Sequence, residues 1–260
     1  MNPAGFRPSV DVQRTGETVR VVIDRAAKAN ALGAAVLEAL RSAFESLHAD
    51  PPSAVVITGA GDRAFAGGAD LTELAALDER TAAAFIAKVH RACDAVRRCP
   101  APVIARVRGA ALGAGLELAA ACDVRIASDD AVFGMPEVRF GIPSVVEAAL
   151  LPRLVGRGRA AWLTLTGGTI DARTALEWGL VERVVPAAAL DAEVDACIAA
   201  ILEADPAAVR AQKRLLAAWD EQPLSSAIAE SVDVFARSYR DGRPGRLIGE
   251  FLAARRPRDG

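Results

Sequence analysis

The run P-V-I-A-R-V-R-G-A-A-L-G-A-G-L-E-L-A-A-A-C-D, Pro102 to Asp123, decides the fold class. Prolines at 100 and 102 open it, and Val103 to Val107 is a short apolar stretch that reads as a buried strand. Glycines at 109, 113 and 115 then punctuate a tight turn, and a helix containing Leu116 to Ala121 follows. A strand that hands the chain through small residues into a helix is the unit of an α/β protein with parallel pairing.

The same unit recurs on both sides of this run. Upstream, the continuously apolar strand Ala54 to Thr58 leads into the glycine-punctuated loop Gly59 to Asp70, then into helical spacing over Leu71 to Leu77 and Thr81 to Arg98. Earlier still, the strand Thr18 to Ile23 precedes a polar break, Asp24 to Asn30. Val36, Leu37, Leu40, Phe44 and Leu47 then mark one face of an amphipathic helix ending near His48. Downstream, Val124 to Ala127, Ala131 to Phe133 and Val181 to Val185 read as strands, and from Ala188 onward the pattern is helical, broken at Pro206, Pro223 and Pro244. The expected architecture is one α/β core over residues 1–190 and a helical region over 191–260.

Composition removes several functions. The 260 residues carry 31 Lys+Arg against 33 Asp+Glu, a near balance that argues against a nucleic-acid binder held by phosphate neutralisation. No uncharged apolar run reaches the roughly 18 residues of a membrane span, and Met1 to Asp11 holds no long apolar segment of the secretory type. The expectation is a cytoplasmic protein. Cys93, Cys99, Cys122 and Cys197 form neither a C-x-x-C pair nor a zinc spacing, so they read as reduced thiols. Only two histidines are present, His48 and His90, both read as structural. Histidine-based metal sites and Ser-His-Asp triads therefore have almost nothing to draw on, and no metal is expected.

The chemistry then concentrates in two loops and two carboxylates. A-F-A-G-G-A-D (Ala64 to Asp70) and G-A-A-L-G-A-G-L-E (Gly109 to Glu117) each follow a buried-looking strand. Small residues let a ligand approach the backbone, and N–H groups at a helix start point at negative charge, so the two loops together can form an oxyanion hole. Taken alone, each loop reads equally as a tightly packed turn. Gly113-Ala114-Gly115 resembles the opening of a dinucleotide fingerprint, but Leu118 stands where its last small residue belongs. No phosphate-binding G-x-x-x-x-G-K-[ST] and no G-x-S-x-G elbow occurs. Glu117 and Glu137 both lie among apolar neighbours, where burial raises a carboxyl towards general acid–base use. Glu147, in P-S-V-V-E-A-A, is a third carboxylate in such a setting.

Five motifs in order carry a resemblance to a known family. They are R-A-A-K-A-N-A-L (Arg25 to Leu32), A-F-A-G-G-A-D-L (Ala64 to Leu71), the run Pro102 to Asp123, F-G-M-P-E-V (Phe133 to Val138), and L-T-G-G-T-I-D-A-R-T-A-L-E-W-G-L-V (Leu165 to Val181). Across nearly the whole chain this resembles the enoyl-CoA hydratase/isomerase (crotonase) superfamily, and most of all its hydratases. The resemblance implies a spiral of β-β-α units with a C-terminal helical region that assembles homotrimers or dimers of trimers and closes the site.

By motif position the resemblance places the oxyanion amides at Gly67 and Ala114 and the two catalytic carboxylates at Glu117 and Glu137. It lines the acyl-CoA path with Ala66, Gly68, Ala69, Asp70, Leu71 and Gly113. Lys28, beside Ala29, falls where the CoA nucleotide end is met, and Arg255 where a basic C-terminal residue reaches a phosphate. The implied activity is hydration of a 2-enoyl-CoA, the chemistry of fatty acid β-oxidation, with coenzyme A arriving in the substrate and no separate cofactor. The segment Asp78 to Val89 is expected as a loop beside the acyl pocket. One departure stands out. Where the hydratases carry a run of the type G-x-I-P-G-x-G-G-T, this chain has the shorter G-I-P-S-V-V-E-A-A, Gly141 to Ala149. On the same oxyanion hole, an isomerase, a hydrolase and a decarboxylase stay open as reactions, and a non-catalytic acyl-CoA binding or scaffold role stays open as a function.

Overall fold

The computed structural model of the chain describes residues 9–254. Its strands are β1 Val10–Thr15, β2 Thr18–Ile23, β3 Ala54–Gly59, β4 Ala64–Ala66, β5 Val103–Val107, β6 Ala110–Leu112, β7 Val124–Ser128, β8 Val132–Gly134, β9 Thr169–Asp171 and β10 Arg183–Val185. Its α-helices are α1 Ala34–Ser46, α2 Leu71–Ala75, α3 Glu79–Arg97, α4 Ala114–Ala120, α5 Leu151–Val155, α6 Arg157–Thr166, α7 Ala172–Trp178, α8 Leu190–Leu202, α9 Pro206–Glu221, α10 Leu224–Ser238 and α11 Arg243–Ala254.

The strands form two sheets. The first has the order β1-β2-β3-β5-β7-β10, parallel except for the β1–β2 hairpin. The second, β4-β6-β8-β9, is parallel up to β8 and antiparallel at β9. The chain alternates between them, β3 then β4, β5 then β6, β7 then β8, with helix following each pair. This is the repeated β-β-α turn that the resemblance implies. All six residues of β3 are buried, as a central parallel strand covered on both faces requires.

Most of the first sheet reads from sequence because β2, β3, β5, β7 and β10 carry short stretches rich in apolar residues, whereas β1, V-D-V-Q-R-T, is largely exposed and is not among the expected strands. The second sheet does not. Two of its strands lie in segments expected as loop or turn, Gly59 to Asp70 and the turn after Gly109, a third, β9, lies in the region after Pro143 read as mostly helical, and each is only three residues long. The segment Asp78 to Val89, expected as a loop beside the acyl pocket, is the capped first half of α3, in line with the helical spacing read over Thr81 to Arg98. Asp78 accepts from the Arg80 and Thr81 amides while the Thr81 hydroxyl accepts from the Asp78 N–H, a capping box.

The described chain divides into two compact units between Glu203 and Ala204. The boundary expected at 190/191 thus falls thirteen residues later, because α8 belongs to the first unit. Leu190 and Val194 of α8 pack on Val56, Ile104 and Ile126, the side chains of β3, β5 and β7 in a small second core. The main core gathers Phe44, Phe65, Phe133, Leu116 and Leu118. In the second unit, Asp205 caps α9 through the Ala208 amide and pairs with Arg243 Nη1 at 2.9 Å.

Candidate active site

A cavity of about 320 Å³ opens in the first unit between three segments: the chain after β4, the start of α4, and the turn carrying Glu137. Gly67, Gly68, Ala69 and Leu71 line one side, Gly113, Ala114 and Glu117 a second, and Glu137 the third. Phe85, Ile86 and Val89 of α3 supply an apolar wall. A larger groove of about 770 Å³ lies among α9, α10 and α11 of the second unit and holds none of the expected site residues.

Close backbone approach seats the start of α4. A Cβ on Gly115 would lie 2.1 Å from the Ala66 carbonyl oxygen, so only glycine lets α4 rest on β4 there. The expected Ala66 is itself fully buried in β4 and lies outside the cavity lining. Glu117 follows in the first turn of α4, its N–H bonded to the Gly113 carbonyl at 3.0 Å.

The amides around the cavity are not all free. The Gly67 N–H donates to the Ala29 carbonyl at 2.8 Å. It is therefore spent, which corrects its expected role as an oxyanion donor. Leu32 bridges Ala69: the Leu32 N–H donates to Gly68 O at 2.8 Å, and the Asp70 N–H donates to Leu32 O at 3.2 Å. Alternate amides of an extended chain face opposite sides. The Ala69 N–H is thus turned away from Leu32, and Ala69 lines the cavity. Ala114 is the first residue of α4, where an amide has no acceptor within the helix. Ala69 and Ala114 are the pair of amides the geometry leaves for a ligand oxygen.

The R-A-A-K-A-N-A-L segment works through residues other than the two singled out from it. Lys28 is exposed, and neither it nor Ala29 lines the cavity. Asn30, fully buried, holds the segment instead. Its Oδ1 accepts from the Arg25 N–H at 3.0 Å, and its Nδ2 donates to Ala60 O at 3.0 Å and Ala64 O at 2.6 Å. Ala29 and Asn30 both adopt left-handed φ, at 51° and 54°, a bend that these side-chain bonds secure. Asp70, expected on the acyl-CoA path, is buried and structural. It caps α2 through the Thr72 amide and pairs with Arg25 Nη2 at 3.0 Å. Burial alone would raise its carboxyl, but Arg25 and the Thr72 amide outweigh it and hold the group below its ordinary range. Arg25 and Asn30 went unassigned in the sequence. The signal that marks them is two polar side chains on an otherwise small-residue bend. Arg255 lies outside the described residues.

The two glutamates meet at the cavity in strained electrostatic conditions. Glu117 is 3% exposed, and burial, followed by the charge of Glu137, pushes its carboxyl up to about 8. The Ala148 N–H, bonded to Glu117 Oε1 at 3.0 Å, opposes that rise. Burial also raises Glu137, less completely shielded, against the Ser144 hydroxyl that donates to Oε2 at 3.0 Å. Glu147 is buried but lies off the cavity lining, with Oε1 2.8 Å from His90 Nδ1. His90, read as structural, holds a buried carboxylate that the sequence did not pair with it. Among the described residues no group of three or more His, Cys, Asp or Glu side chains is placed to hold a metal ion. No helix among them is long and apolar enough to cross a membrane.

Two converging carboxyls, free backbone amides and an apolar wall can support proton transfer beside a polarised carbonyl. Comparison with known proteins gives the family. The family model described as enoyl-CoA hydratase/isomerase matches residues 14–243. A crotonyl-CoA hydratase of Syntrophomonas wolfei is 38% identical, over 90% of this chain and 91% of its own. A probable enoyl-CoA hydratase of Mycobacterium tuberculosis is 36% identical, over 95% of each. The crystal structure of an enoyl-CoA hydratase from Mycobacterium smegmatis superposes with a TM-score of 0.92 at 35% identity, covering 96% of this chain and 98% of that one. The chain belongs to the enoyl-CoA hydratase/isomerase family and has the crotonase fold.

Proposed function

We propose that the protein is an enoyl-CoA hydratase that adds water across the double bond of a 2-enoyl-CoA to give a 3-hydroxyacyl-CoA. The observation that carries this reading is the convergence of Glu117 and Glu137 on one apolar cavity beside the Ala69 and Ala114 amides. A metal or redox cofactor has no part in the proposed reaction, and coenzyme A enters as part of the substrate.

The thioester oxygen sits between the two amides, which stabilise the negative charge that grows as the double bond is attacked. Two carboxyls in one site do not both ionise readily, so one proton is held between them. The more deeply buried Glu117 keeps it, and Glu137, solvated by Ser144, is the ionised member. A water between them forms its C–O bond at Cβ and gives its proton to Glu137. The C=C electron pair moves to Cα, which takes the proton from Glu117. Two environments that push like groups apart in proton affinity assign the acid and the base.

A row of exposed apolar side chains on α10, Leu224, Ile228, Val232 and Phe235, supports assembly as a homotrimer or dimer of trimers, which light scattering on purified protein would measure. The deciding experiment for the activity offers purified protein a panel of 2-enoyl-CoA thioesters of increasing chain length, with mass detection. A product heavier by one water is expected. Loss of the conjugated absorbance with no added mass would make the enzyme an isomerase, and no change with any thioester would defeat the reading.

A further inference from the structure

Glu147 is a buried carboxylate that the proposed reaction leaves unused, and unlike Asp70 it caps no helix. It stands in a short 3-10 turn, Val146–Leu150, in the segment where this chain departs from the hydratase pattern. Its Oε1 lies 2.8 Å from Nδ1 of a half-exposed His90, while its Oε2 is buried and has no hydrogen-bond partner among the described residues. A carboxylate kept only for packing would find partners for both oxygens, because a buried oxygen without one is costly. The residue before it is also unusual. Val146 has φ 41°, a left-handed conformation that a β-branched side chain seldom adopts and that persists where surroundings force it. The residue after it, Ala148, donates its N–H to Glu117 Oε1 at 3.0 Å. One turn therefore buries Glu147 and grips Glu117.

We propose that Glu147, clamped by His90, is a positioning residue for Glu117: its turn fixes one Glu117 oxygen and sets a second carboxylate behind it. An ionised Glu147 makes Glu117 hold its proton more tightly, and a neutral one relaxes that hold. His90, half-exposed, favours the ionised form of Glu147 through its contact with Oε1, and so acts on Glu117 through that carboxylate. The charged and titratable groups facing Glu147 are His90, Asp94 and Arg97 of α3, with Cys93 on the same helix and Glu117 on α4. Burial and then the charge of Glu147 also raise the Cys93 thiol, which marks Cys93 as a further neighbour of this carboxylate.

The inference rests on the reading of Glu117 as a proton-handling group, and its test is independent of turnover. Protein carrying 13C-carboxyl glutamate is titrated by NMR without substrate, and the Glu117 signal is assigned by its loss in Glu117→Gln. In Glu147→Gln the Glu117 midpoint is expected to fall, by less than it falls in Glu137→Gln, because the charge of Glu147 acts on it more weakly than that of Glu137. In His90→Gln, a conservative change at a half-exposed site, the Glu147 midpoint should rise and that of Glu117 should fall with it. Should Glu147→Gln not fold, His90→Gln decides alone. An unmoved Glu117 midpoint in folded variants would overturn the proposal, whether or not the enzyme hydrates enoyl thioesters.

Discussion

Glu137 Oε1 occupies the space beside Gly113: a Cβ added to that glycine would stand 2.3 Å from the carboxylate oxygen. Gly113 also has φ 51°, which L side chains disfavour. Gly113→Ala should thus fail twice, by straining the cap of α4 and by pushing Glu137 out of place. The backbone cost is about 1–2 kcal/mol, which a folded domain survives. Displacing an acid–base group by about 1 Å costs about 10²-fold in rate. A cooperative melt with a modestly lowered Tm and a hundredfold loss of turnover is expected. Near-normal turnover would mean that Glu137 has no fixed place in the reaction.

The pH–rate profile should be bell-shaped, with its alkaline limb set by Glu117. Its carboxyl is pushed up to about 8 by burial and by Glu137, so it is protonated at neutral pH and loses that proton as the medium passes about 8. The acid limb reports protonation of Glu137, also raised by burial. The profile of kcat/KM measures the free enzyme, where these environments apply. In Glu117→Gln turnover should fall at least about 10²-fold, and the alkaline limb should vanish from what activity is left.

Much of the fold was legible because central parallel strands are continuous apolar runs bounded by glycine or proline, as at Ala54–Gly59 and Val103–Val107. The second sheet was not. Ala64–Ala66 and Ala110–Leu112 are too short for any periodicity and built of residues that turns also use. At the site, apolar flanks mark Glu117, Glu137 and Glu147 alike; the family resemblance singles out the first two, and the fold puts those two, not Glu147, on the cavity. The pairing of His90 with Glu147 spans 57 residues and joins an exposed helix position to a turn, a contact only the fold creates. Gly67 failed as an oxyanion donor for a similar reason. Composition shows that a loop has amides to offer, but the direction of each N–H depends on its partner strand.

Glu117 should also destabilise the protein at alkaline pH. Its ordinary value is 4.5 and its folded value is about 8, so the folded state binds the proton more tightly than the unfolded chain. The stability this contributes is complete below about 4.5 and is lost as the pH rises through about 8. Thermal melts of wild type against Glu117→Gln should therefore diverge across that window, with the variant gaining relative to wild type as pH rises. Parallel curves would indicate that Glu117 is more solvated than its burial implies.

The amide assignment can be tested at single atoms. Replacing a residue by its α-hydroxy acid turns the backbone N–H into an ester oxygen and leaves the side chain unchanged. At Ala69 this removes an amide that faces the cavity, and the loss should fall on turnover, by about 10²- to 10³-fold, the size seen when one oxyanion donor is deleted. At Gly67 it removes the donor to Ala29 O at 2.8 Å, and the loss should fall on stability, about 1 kcal/mol for a backbone hydrogen bond, with turnover less affected. The two positions lie in the short segment after β4, on either side of Gly68, whose φ of 106° breaks the extended alternation, so a difference between the esters reports which way each N–H points. If the Gly67 ester lost turnover and the Ala69 ester did not, the Gly67 amide would have to hold the thioester oxygen, and the assignment to Ala69 would fail.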